Sequence, residues 1–178
     1  MRPPRLAFSH MGFWVSDLAR MERFYVQVLG FTVTDRGKLG SAELVFLSQD
    51  PREHHQIVLV SGRPAQVPFN VINQISLRAA DLPALKDVYR RVRDEGVDEL
   101  RPVTHGNAVS IYFRDPEGNR LEIFVDSPWY VAQPPRIPID LDRPDEEIWQ
   151  FVEKTCRQLP GFKSREEWEG EMRARMNL

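Results

Sequence analysis

The side chains best suited to chemistry stand in one stretch, Val103 to Glu122, VTHGNAVSIYFRDPEGNRLE. It offers an imidazole at His105, a phenol at Tyr112 and a carboxylate at Glu122, groups that move protons or hold cations. The elements that must position them are a strand, a tight turn and a second strand. Val109 to Phe113 alternates apolar and polar, and Arg120 to Val125 does the same. Between them, Asp115-Pro116-Glu117-Gly118 has the composition of a type I turn, with Asp first, Pro second and Gly last. A period of two puts Ser110, Tyr112 and Arg114 on one face of the first strand. In the second strand Arg120, Glu122 and Phe124 share a face, and Leu121, Ile123 and Val125 take the other. A carboxylate in mid-strand needs a reason. It is either a solvent-facing position in a half-wet antiparallel sheet or a functional one.

The spacing Val103-x-His105-x5-Ile111-Tyr112-x2-Asp115-Pro116-x-Gly118-x3-Glu122 resembles the signature of extradiol ring-cleavage dioxygenases. Those enzymes belong to the vicinal oxygen chelate superfamily, with glyoxalase I, fosfomycin resistance proteins and methylmalonyl-CoA epimerase. The resemblance implies that Glu122 is a metal ligand and that Tyr112 and His105 sit beside the bound substrate as catalytic residues. Tyr112 would hydrogen-bond a substrate oxygen. His105 would move protons, its unperturbed pKa of roughly 6.5 suiting both directions near neutrality.

The rest of the chain repeats itself. Leu6 to Val15 alternates as a strand, and Asp17 reads as the N-cap of a helix ending at Gly30. Strands are expected at 31–35, 42–47 and 56–60. A strand from Val71 to Ala79 follows, then Asp81 as the cap of a helix ending at Gly96, and three more strands. Each half therefore reads βαβββ. Asp17 to Asp81 is 64 residues, and the same offset carries His10 onto Gln74 and Val58 onto Glu122. These four are equivalent positions in two copies of one module, spanning about residues 5–63 and 70–127.

By resemblance, two such modules form a cupped mixed sheet in an α+β domain over residues 1–127, and the metal ligands come from those four positions. Val58 cannot ligate, which leaves His10, Gln74 and Glu122. Extradiol enzymes normally use two histidines and a carboxylate, so Gln74 stands where a histidine is expected. The implied cofactor is a divalent metal, Fe(II) first and Mn(II) second. The implied activity is cleavage of a catechol-type or biaryl diol by O2. The alternatives are a glyoxalase-, epimerase- or thiol-transferase-like metalloenzyme, and a metal-free protein that binds small molecules. Phe8, Trp14, Gln56 and Ser76 are candidates to line the substrate pocket. His54 and His55 are adjacent, so on an extended backbone they point to opposite faces and cannot share one metal.

Residues 128–178 differ in character. A proline-stiffened arm runs through Gln133-Pro134-Pro135-Arg136-Ile137-Pro138. Two helices follow, one carrying Ile148, Trp149, Val152 and Leu159, the other opening on the capping box Ser164-x-x-Glu167. No chemistry is expected in this tail. Its short helices must pack on the core or on a second subunit, which points to a homodimer or higher homo-oligomer. The net charge is −2 and the Lys and Arg residues are scattered, which speaks against nucleic acid and lipid surfaces. The single cysteine, the missing apolar leader and the lack of a run near the roughly 20 apolar residues of a membrane span point to the cytoplasm.

Overall fold

The structure is a computed structural model that describes residues 7–66, 70 and 72–177. The chain forms two compact units: one runs to about residue 71 and takes in the turn Asp115–Gly118, and the other holds Ile72–Arg114 and the chain from Asn119 onward.

In the first unit, β1 (Met11–Val15) leads to α1 (Leu18–Arg23), then β2 (Thr32–Leu39), β3 (Ala42–Ser48) and β4 (Ile57–Ser61). The sheet order is β1-β4-β3-β2, with β1 parallel to β4. Asp17 caps α1 as expected, its carboxylate accepting from Arg20 N at 2.9 Å. The helix does not stay α to Gly30. Residues Phe24–Val28 form a π-helical turn. In that wider turn Phe24 and Val28, and Tyr25 and Leu29, align four residues apart, and all four are buried. The Asp115–Gly118 turn supplies a second cap. Glu117 accepts from the backbone N–H groups of Ser16 and Asp17 at 2.6 and 2.7 Å and pairs with Arg63 at 3.2 Å.

The second unit repeats the plan with β5 (Ile75–Arg78), α2 (Leu82–Glu95), β6 (Arg101–Thr104), β7 (Ala108–Arg114) and β8 (Arg120–Asp126). Beyond them come β9 (Trp129–Tyr130), β10 (Ile137–Pro138), α3 (Asp145–Cys156), β11 (Lys163–Ser164) and α4 (Arg165–Met176). The main sheet runs β10-β6-β7-β8-β5, so β5-β8-β7-β6 reproduces the first unit's order. The register repeats as well. Gly12 faces Val58 in the first sheet, and Ser76 faces Glu122 in the second, each shifted by the expected 64 residues. The fold is α+β with two mixed sheets. Leu82, Leu85 and Val92 of α2 are buried, and the helix packs on β7 and β8, whose Ile111, Phe113, Leu121 and Ile123 share one face.

Several boundaries move. Two strands start later than alternation suggests, at Met11 and Ile75, because only from there does each pair with its parallel neighbour. Leu6 and Val71, their expected first residues, lie outside the described residues. Strand β2 runs on to Leu39, since its hairpin with β3 turns at Gly40, where φ is +61°. Helix α3 ends before Leu159, and Cys156 joins Ile148 and Val152 as the buried set. Ser164 does cap α4, accepting from Glu167 N at 3.1 Å, but α4 buries none of its residues. Among the described residues no helix is long and apolar enough to cross a membrane.

Candidate active site

Strand pairing sets a row of side chains across the second unit's sheet. Arg101 of β6 faces Tyr112 of β7, Tyr112 faces Glu122 of β8, and Glu122 faces Ser76 of β5. Directly opposed residues share a face, so the polar row and the apolar surface under α2 lie on opposite sides. This is why the strands alternate as they do. Glu122 is not solvent-facing: it is 8 % exposed, in mid-strand.

A buried carboxylate must be satisfied, and three donors do it. Tyr112 Oη donates to Glu122 Oε1 at 2.6 Å. Ser76 Oγ and Gln74 Nε2 donate to Oε2 at 2.6 and 2.9 Å. Tyr112 Oη also lies 2.9 Å from His105 Nε2, and His105 Nδ1 lies 2.7 Å from the Pro135 carbonyl oxygen. A carbonyl only accepts, so Nδ1 carries a proton and Nε2 is the nitrogen turned to the site. Tyr112 Oη thus links the two groups, donating its one proton to Glu122 while lying within hydrogen-bond reach of His105 Nε2. Burial pushes the Tyr112 phenol well above its usual value, and the Glu122 carboxylate adds to this. Tyr112 is therefore a hydrogen-bond donor at neutral pH, not a base.

The C-terminal arm lies against this line of side chains, a contact the sequence does not suggest. Besides the Pro135 carbonyl, the arm places the Arg136 guanidinium 4.6 Å over the Tyr112 ring centroid. Gln133 Nε2 donates to the His105 carbonyl at 3.0 Å. Pairing of Ile137 with Thr104 and Pro138 with Val103 fixes the arm along β6. Nothing in the sequence signals this. Two strand residues beside prolines show no periodicity, and a backbone carbonyl has no residue type to recognise.

The candidates in the first unit have other surroundings. His10 is exposed, just ahead of β1, with its ring centroid 4.2 Å from that of His55. Phe8 and Trp14 are 84 % and 57 % exposed, so neither is a core residue. Gln56 is committed to its own hairpin, its Oε1 accepting from Gln49 N at 2.9 Å. His54 and His55 do not diverge. The segment carrying them is not extended, and their Nδ1 atoms are 2.9 Å apart. Burial lowers the His55 pKa, with His10 and His54 adding to the effect.

Glu122 and Gln74 could offer two oxygens to a divalent cation. Their polar ends are 2.9 Å apart, the separation of neighbouring ligands at metal–oxygen distances of about 2.1 Å. Turning the Gln74 amide over brings its oxygen to the position its nitrogen holds. Among the described residues no group of three His, Cys, Asp or Glu side chains could hold a metal, so a centre here relies on the amide.

Residues 7–123 match the family model described as the Glyoxalase/Bleomycin resistance protein/Dioxygenase superfamily. Biphenyl-2,3-diol 1,2-dioxygenase 3 of Rhodococcus globerulus is 33% identical over 129 residues, which is 70% of this chain and 64% of the relative. Biphenyl-2,3-diol 1,2-dioxygenase 2 of the same organism is 28% identical over 124 residues, 67% of this chain and 63% of the relative. The match thus spans less than two thirds of either relative's length. Among solved structures, a glyoxylase/bleomycin resistance protein/dioxygenase domain from Frankia sp. EAN1pec superposes with a TM-score of 0.60 at 19% identity, covering 70% of this chain and 100% of that one.

Proposed function

Because the chain belongs to the glyoxalase/bleomycin resistance protein/dioxygenase superfamily, we propose that it is a metal-dependent extradiol-type dioxygenase acting on a catechol-type diol, biaryl diols included. The observation that carries this reading is the hydrogen-bonded line from His105 through Tyr112 to Glu122. The names of the Rhodococcus relatives support the substrate class.

Glu122 and Gln74 would hold the metal, and His10, the counterpart of Gln74 in the repeat, is the proposed imidazole donor. Fe(II), or Mn(II) in its place, would supply Lewis-acid activation of the diol and electron transfer toward O2. The chain's own residues do the rest. Tyr112 stays protonated, and its single O–H would turn from Glu122 to a substrate oxygen. His105, with Nδ1 pinned by Pro135, can take or give a proton only at Nε2. Ser76 keeps the Glu122 carboxylate oriented. Phe8 and Trp14 are proposed to meet the aromatic substrate, and a cytoplasmic homo-oligomer is the proposed state of the protein.

The test is anaerobic purification, reconstitution with Fe(II) or Mn(II), and addition of catechol or 2,3-dihydroxybiphenyl with O2. Ring opening gives a yellow semialdehyde and consumes O2. A metal-loaded protein that does neither with any diol ends the reading. One observation favours a metal-free binding role instead: three protein donors already satisfy Glu122. Metal analysis of the purified protein separates the two.

A further inference from the structure

We propose that Arg136 makes this site selective for aromatic diols that carry an anionic substituent, a carboxylate above all; this rests on the diol reading given above. The guanidinium is centred over the Tyr112 ring, whereas the reacting end of Tyr112 is its hydroxyl, held between Glu122 and His105. The cation therefore stands beside the place where the diol would react, not on it. A charged substituent on the ring of the diol is the part of a substrate that such a cation meets.

Three further observations converge. First, among the described residues no carboxylate pairs with Arg136, whereas Arg114 pairs with Glu99 at 3.0 Å and both Arg78 and Arg165 pair with Asp126, at 3.1 and 2.9 Å. Its N–H donors remain for a ligand. Second, the residue is preorganised. Pro135 before it is tied to His105 through its carbonyl, and Ile137 after it pairs with Thr104. A side chain on a backbone held at both ends loses less freedom when a ligand arrives. Third, Glu122 is the buried acid of this polar row, and it disfavours an anion nearby. An anionic substrate needs an offsetting cation. Arginine suits a carboxylate in particular, because its planar fork donates two parallel hydrogen bonds to the two oxygens.

The experiment measures binding, not turnover. Calorimetric titration under anaerobic conditions compares 2,3-dihydroxybenzoate with catechol on the Fe(II)-loaded protein. The carboxylated diol should bind about tenfold tighter, the lower end for a hydrogen bond to a charged group. Arg136→Gln should erase the preference, bringing the ratio of the two affinities to about one. Arg136→Glu should reverse it. Arg175→Gln, an exposed change on α4, should alter nothing, and raising the salt concentration should shrink the preference in the wild type. Circular dichroism confirms that each variant is folded, and Arg136 is exposed, so its replacement leaves no cavity. If catechol binds but the carboxylated diol binds no tighter, or if the preference survives in Arg136→Gln, the inference is overturned and the ring-cleavage reading stands. If neither diol binds, both fall.

Discussion

Tyr112 Oη lies 2.6 Å from Glu122 Oε1 and 2.9 Å from His105 Nε2, so one hydroxyl bridges the acid and the imidazole. Removing that oxygen separates the two roles proposed for the site. In Tyr112→Phe the buried carboxylate keeps Ser76 and Gln74 on Oε2 but loses its donor on Oε1. The expected cost is about 2 kcal/mol of stability, typical for a buried charged acceptor left short. Metal content should be unchanged, because Glu122, Gln74 and His10, the side chains proposed to hold it, all remain. Turnover should fall by about a hundredfold, the usual size of a lost proton-transfer partner. Elemental analysis, a thermal melt and an O2-uptake assay read the three effects. Loss of the metal along with activity would mean that Tyr112 organises the ligand set and is not a partner of the substrate.

Glu122→Gln should bring bound metal down to background, since it removes the charge while keeping the shape. Gln74→His should raise Fe(II) affinity, because imidazole is a stronger donor to iron than an amide oxygen. Position 74 is exposed, so the larger ring meets no packing penalty. Equilibrium titration with a coloured chelator measures both. Full metal occupancy in Glu122→Gln would show that the centre lies elsewhere.

What the sequence revealed follows from the physics of alternation. The repeat offset, the faces of Tyr112 and Glu122, and the caps Asp17, Asp81 and Ser164 are all local patterns in residue type, and the strand register and cap hydrogen bonds match them. Gln74 could be placed near Glu122 only through the family resemblance, which draws on the first and last strands of each module; the parallel pairing of those strands is seen in the structure. The π-helical turn at Phe24–Val28 was not legible, since buried residues at i, i+3 and i+4 fit either helix. Nor was the arm's part in the site. Pro135 acts through its carbonyl, which every residue has, and Arg136 is one of many arginines until Tyr112 lies under it.

Alkaline pH gives an independent check on burial. The Tyr112 phenol is raised by burial and then by Glu122; the Tyr25 phenol is raised by burial and then by Asp115. In the unfolded chain both ionise near pH 10. A folded value above the unfolded one means that the stabilisation is fully present below about pH 10 and is lost as pH rises toward the folded values. Stability should therefore decline above about pH 10. In the native protein, phenolate absorbance should fall short of the full value for its 4 tyrosines by at least two until the fold opens. In Tyr112→Phe one of those late phenolates should vanish. Early ionisation of Tyr112 would mean that its hydroxyl is open to water.

Gly106 ties the loop of His105 to the tail. Its carbonyl accepts from Ser127 Oγ at 2.5 Å and from Cys156 Sγ at 3.4 Å, and its φ is +80°. An added Cβ would collide with the Val131 side chain and crowd Cys156 Sγ at 3.3 Å. Val131 and Cys156 are both fully buried, so neither can move aside cheaply. Gly106→Ala should cost about 3 kcal/mol, the sum of a left-handed backbone penalty and an overpacked core. Gly118→Ala is the control. Its φ is also +80°, but nothing lies within 4 Å of the new Cβ, so the backbone penalty of about 1 kcal/mol stands alone. Denaturant melts of the two variants measure the difference. Because Gly106 follows His105 directly, the first variant should also weaken the grip of Pro135 on the imidazole and slow turnover beyond what its stability loss explains. Equal destabilisation by the two changes would show that Val131 and Cys156 yield, and that the tail does not brace the loop.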